Sequence, residues 1–115
     1  MILIGTIAFP DSEELEKNVA QCYENLPPVP SFISVIGTYV YNVEGEDHRA
    51  FSIFEFDFAR FNEAIEYMKI RYKTFSTVKG LTYKVEEWIS VQDALKIVED
   101  GDFDISSLSS SKFFI

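Results

Sequence analysis

The sequence predicts an α+β domain, a four-stranded antiparallel sheet with helices on one face. Three observations lead there. Apolar spacing switches between period two and period 3.6 in the order strand, helix, strand, strand, helix, strand, small helix. Two strands, Met1–Phe9 and Ala50–Asp57, carry large apolar side chains on both faces, which is the mark of central strands. The other two, Phe32–Val43 and Leu81–Ile89, are then expected outside them, and no internal repeat competes with this reading.

Met1–Phe9 is nearly all apolar and ends at Pro10. Gly5 in its middle predicts a bulge or the close approach of a neighbouring backbone or ring. Asp11 or Ser12 caps the first helix, and Asp11 followed by Glu14 has capping-box spacing. Leu15, Val19, Cys22, Tyr23 and Leu26 form its apolar stripe, so Cys22 is expected to be a buried structural thiol. Pro27, Pro28 and Pro30 stop the helix and make a short rigid return.

In Phe32–Val43, Ile33, Val35, Gly37, Tyr39 and Tyr41 are expected on one face. Glu44–Arg49 is a charged turn containing Gly45, which joins this strand to Ala50–Asp57 as a hairpin. In Ala50–Asp57, Ser52, Phe54 and Phe56 point one way, together with Phe58 beyond it. Phe51, Ile53, Glu55 and Asp57 point the other. Asp57 is the expected cap of the second helix, whose stripe is Phe58, Phe61, Ile65, Met68, Tyr72 and Phe75. Gly80 follows that helix, and Leu81–Ile89 places Tyr83 and Val85 on one face and Trp88 on the other. Ser90 caps a third helix with Asp93 in capping-box position, Leu95 and Val98 forming its apolar face. Residues 1–101 make the domain and 102–115 a tail, in which Phe113, Phe114 and Ile115 are expected to pack on the chain or on a neighbour.

The formal charge of −9 bounds the partners. Basic residues scattered among an excess of acids do not build the clustered cationic patch that nucleic acid or an anionic membrane needs. A single cysteine precludes an intrachain disulfide, and Met1–Phe9 is too short for a signal peptide or a membrane span, so a cytoplasmic protein is expected. Eleven Phe and six Tyr require either a ring-rich core or an apolar surface held for a partner.

Element order and the helix-free sheet face describe the split βαβ, ferredoxin-like plan. With the Pro-rich turn, the Gly45 hairpin, the Phe51–Asp57 pattern running into a helix and the capped helix Ser90–Val98, residues 1–100 resemble the dimeric α+β barrel superfamily. Within it the chain is similar to a family of small proteins of unknown function. The resemblance implies a homodimer whose two sheets pack face to face around a barrel. Its members include cofactor-independent monooxygenases, lactone isomerases, haem enzymes and stress-response proteins, and a shared fold does not choose among them.

The residues narrow the chemistry only a little. There is no phosphate loop, no GxSxG and no CxxC. His48, the one histidine, falls in the predicted charged turn, away from Cys22, so no metal cluster, haem or other cofactor is expected. Glu55 shares a face with Phe51 and Ile53; inside a barrel it is a candidate general base, against a cross-strand ion pair as the plainer role. Tyr39, Tyr41, Tyr83 and Trp88 are candidates to ring a ligand pocket or to fill a core. Arg71 is a candidate anion holder, with a surface ion pair as the alternative. Three functions follow as expectations: a homodimer binding a small apolar or aromatic ligand, a cofactor-free enzyme using Glu55 and a tyrosine, or an interaction subunit working through its tail.

Overall fold

A computed structural model of the chain describes residues 1–99. Strand β1 (Ile2–Phe9) leads to helix α1 (Glu13–Glu24), strands β2 (Ser34–Tyr41) and β3 (His48–Glu55), helix α2 (Phe61–Lys73), strand β4 (Thr82–Trp88) and helix α3 (Val91–Glu99). The sheet order is β2-β3-β1-β4, with every pairing antiparallel. The two strands that are apolar on both faces are therefore the central pair, and the plan is ferredoxin-like. The tail 102–115 lies outside the described residues, and so does the part assigned to it. No helix among the described residues is long and apolar enough to cross a membrane.

The core lies between the sheet and α1 and α2. Leu3, Ile7, Phe54, Met68, Phe75 and Val85 are its largest fully buried side chains. Gly5 faces into this layer because Tyr72 lies across it: a Cβ there would fall 1.8 Å from the Tyr72 hydroxyl oxygen. Phe56 is buried and stacks on Phe61, with ring centroids 6.4 Å apart. Cys22 is buried too, its Sγ 3.4 Å from the Thr74 carbonyl oxygen.

Local chemistry moves several boundaries. Ser12, not Asp11, caps α1: its hydroxyl accepts the Leu15 N–H at 3.3 Å, which leaves Asp11 free for a longer-range task. Asp57 caps a 3₁₀ turn, Phe58–Arg60, and α2 starts only at Phe61. That turn swings Phe58 off the predicted stripe, and it is exposed. Ser90 caps α3 as its spacing predicts, accepting the Asp93 N–H at 3.1 Å.

A register shift between Val35 and Gly37 alters β2. One extra residue in a strand inverts the alternation beyond it. Val35 pairs with Phe54, on the helix side, while Gly37, Tyr39 and Tyr41 pair with Ile53, Phe51 and Arg49, on the opposite side. The single face expected for Ile33, Val35, Tyr39 and Tyr41 is thus split in two.

Arg71 is not a surface residue. It is 7% exposed, its Nη1 donates to the Tyr67 hydroxyl at 3.2 Å, and its guanidinium sits 5.2 Å from the Phe54 ring centroid. No carboxylate pairs with it among the described residues, and its Nε has no partner.

Candidate functional site

The sheet face away from α1 and α2 is the larger candidate. Reading across the paired strands gives successive rows: Tyr41, Arg49, Ala8, Thr82; then Tyr39, Phe51, Thr6, Lys84; then Gly37, Ile53, Ile4, Glu86; then Ser34, Glu55, Ile2, Trp88. Apolar and aromatic side chains dominate it. Tyr39, Tyr41, Phe51 and Trp88 are exposed, while Ile2, Ile4 and Ile53 are half-buried. Large apolar side chains side by side on an open surface mark an interaction site.

Charge is sorted along the strands. Arg49 and Lys84 occupy the first two rows, Glu86 and Glu55 the last two. The aromatic residues have local partners: the Tyr39 ring packs on Phe51 at 5.2 Å, and the Arg49 guanidinium lies 4.2 Å from the Tyr41 ring centroid. The Tyr41 hydroxyl donates to Glu46 Oε2 at 2.9 Å.

Of the predicted ligand set, Tyr39, Tyr41 and Glu55 share this face. Tyr83 does not. It pairs with Ile7 on the helix side and stacks on Tyr72 at 5.9 Å, because the β4 alternation that buries Val85 turns Tyr83 the same way. Glu55 is exposed, and four residues of β3 separate it from Phe51, the partner of Tyr39. That is about 13 Å between backbone positions, and among the described residues no tyrosine hydroxyl is hydrogen-bonded to Glu55.

A second constellation escaped the sequence reading. His48 opens β3 instead of lying in the charged turn, and it is 6% exposed. Its register partner Phe9 stacks on the imidazole at 5.1 Å and 10°. His48 Nε2 lies 2.7 Å from Asp11 Oδ1 and 3.0 Å from Glu16 Oε1. Asp11 uses Oδ2 to accept the Gly45 N–H at 2.9 Å. The hydrogen bond from His48, helped by that from Gly45, holds the Asp11 carboxyl below its usual range. The three ligand-type atoms lie within 4.8 Å of one another, from parts of the chain far apart in sequence. The available signal was the free choice between Asp11 and Ser12 as helix cap. Beside the cluster is a cleft of about 180 Å³, walled by Ile7, Val19, Tyr23 and Val40, with Glu16 and His48 also lining it.

Comparison with known proteins adds little. No family model matches the sequence, and no curated protein matches it. A formyltetrahydrofolate deformylase from Pseudomonas putida KT2440 is similar in structure at 12% identity and a TM-score of 0.43, over 76% of this chain and 29% of that one. One from Burkholderia mallei ATCC 23344 is similar at 8% identity and a TM-score of 0.45, over 75% and 28%. The chain thus spans less than a third of the length of either, and likeness at this level carries no function across.

Proposed function

We propose that the open sheet face closes on the same face of a second copy, and that this homodimer holds a small apolar or aromatic ligand between the sheets. One observation carries the reading: the charges on that face are arranged to complement themselves. A two-fold axis lying between the sheets and across the strands lays the first row of one copy over the last row of the other. Arg49 of one copy then faces Glu55 of the other, and Lys84 faces Glu86. A self-matching patch of this kind suits a two-fold interface. The mixed rows also disfavour a uniformly charged partner, since either sign meets its like.

The apolar residues between those charges supply the association energy. Tyr39, Tyr41 and Phe51, with Glu55 brought near them by the second copy, are the side chains placed to line any space left between the sheets. Glu55 in that position accepts a hydrogen bond from a ligand, and the rings stack on it.

Sedimentation of the full chain tests the assembly. Wild type is expected to run as a dimer at micromolar concentration. Arg49→Glu and Glu55→Arg, made singly, put like charges opposite each other and shift it toward monomer. The double swap restores the opposition and the dimer. A monomeric wild type, or singles that leave sedimentation unchanged, refutes the arrangement. Native mass spectrometry of the purified dimer tests the ligand: a mass excess is expected in wild type and lost in Tyr39→Ala.

A further inference from the structure

We propose that Asp11, Glu16 and His48 form a binding site for a divalent first-row metal ion, taking Zn²⁺ more tightly than Mn²⁺, at the edge of the apolar cleft. This site is independent of the dimer reading, because its residues are not on the open sheet face.

His48 is held by burial and by the stacked Phe9 ring, so its Nε2 has little freedom to turn away. Two carboxylate oxygens converge on that one nitrogen, at 2.7 and 3.0 Å. A single Nε2–H serves one of them well and the other poorly, and two carboxylates drawn to one point repel each other. A dication in place of that proton resolves both problems. It takes the Nε2 lone pair and both carboxylates, and their repulsion becomes attraction to the ion.

The spacing suits such an ion. Ligand bonds to zinc run about 2.0–2.2 Å, so neighbouring ligand atoms on one ion stand about 3 Å apart. The two separations from Nε2 are close to that. Asp11 is already oriented by the Gly45 N–H on its other oxygen, the kind of outer hydrogen bond that fixes a ligating carboxylate. One imidazole and two carboxylates form a mixed nitrogen and oxygen set, which suits borderline ions, and the divalent affinity order places Zn²⁺ above Mn²⁺. Three protein ligands leave at least one position for water. Asp11 and Glu16 are partly open to solvent, with side chains 37% and 45% exposed, so an ion has a way in.

The rival role is a plain clamp, in which the imidazole simply ties the hairpin to the β1–α1 corner. Metal titration separates the two. The full chain, stripped with a chelator, is titrated with Zn²⁺ by calorimetry and with Mn²⁺ by electron paramagnetic resonance. The expected result is one ion per chain, with Zn²⁺ the tighter. Glu16→Gln and His48→Gln each weaken Zn²⁺ binding by at least about tenfold. Glu13→Gln, on the same helix but paired with Lys17, and Cys22→Ser leave it unchanged. Added Zn²⁺ raises the melting temperature of wild type but not of Glu16→Gln. If His48→Gln fails to fold, Glu16→Gln carries the test, since that side chain is partly exposed. Absence of saturable binding, or equal affinity in wild type and Glu16→Gln, leaves the clamp and overturns the metal site.

Discussion

Phe51 and Phe54 stand three residues apart on one strand, yet Phe54 is 0% exposed and Phe51 is 39% exposed. Their chemistry is the same and so is their backbone. What differs is the layer above them. Phe54 lies under α2, where Arg71 and the core close over it, while Phe51 is on the opposite face, packed on Tyr39 and beside Thr6. One face of the sheet is covered by α1 and α2, while the other leaves Tyr39, Tyr41, Phe51 and Trp88 exposed. A strand that is apolar on both faces therefore specifies two covers, and the chain's two long helices supply one of them.

The sharpest way to break this contrast is to truncate both rings. Phe54→Ala should lose about 3–5 kcal/mol of folding stability in chemical denaturation, the usual range for a buried phenylalanine. Phe51→Ala should lose less than about 1 kcal/mol at concentrations where the chain is monomeric, and should weaken the dimer. Equal losses for the two would mean that the open face is covered by something within the chain.

Alkali sharpens the same contrast. Burial pushes the Tyr72 hydroxyl from 10.0 to about 12. The folded state thus keeps its proton where the unfolded state loses it. The stabilisation is fully present below pH 10 and is lost as pH rises toward 12. The loss is about 2–3 kcal/mol for a shift of this size. Tyr72→Phe should flatten that part of the stability curve. A wild-type curve already flat across the window would place the hydroxyl in water.

The smallest effect expected concerns Arg71, a cation on the covered side with no carboxylate partner among the described residues. Arg71→Met keeps much of the volume and removes the desolvation cost, so stability should stay within about 1 kcal/mol of wild type or rise above it. A loss beyond about 2 kcal/mol in urea denaturation would mean that the bond to Tyr67 and the contact with Phe54 outweigh that cost.

Element order, the central pair of strands and the covered face were legible in the sequence, because periodicity is a local property and burial follows it. Phe54, Phe56, Val85 and Cys22 went where their spacing put them. The bulge in β2 was not legible: an extra residue leaves no mark on composition, yet it moved Val35 to the face opposite Tyr39 and Tyr41. The surface ion pair weighed for Arg71 failed because α2 buries a wider arc than its apolar stripe alone, and Tyr67 and Arg71 fall inside that arc.

Local pattern sufficed for the order of strands and helices and for the apolar sides of β1, β3 and β4, since these depend on neighbours a few residues away. Only the tertiary structure decided where the chemistry gathers. Asp11, Glu16 and His48 read separately as a helix cap, a solvated helix acid and a turn residue. Antiparallel pairing of β1 with β3 sets Phe9 opposite His48, so the imidazole stands at the corner where α1 begins. Once Ser12 has taken the cap, Asp11 is free to meet it there. A convergence of this kind is a matter of distance in space between residues 37 apart along the chain, and no local pattern encodes it.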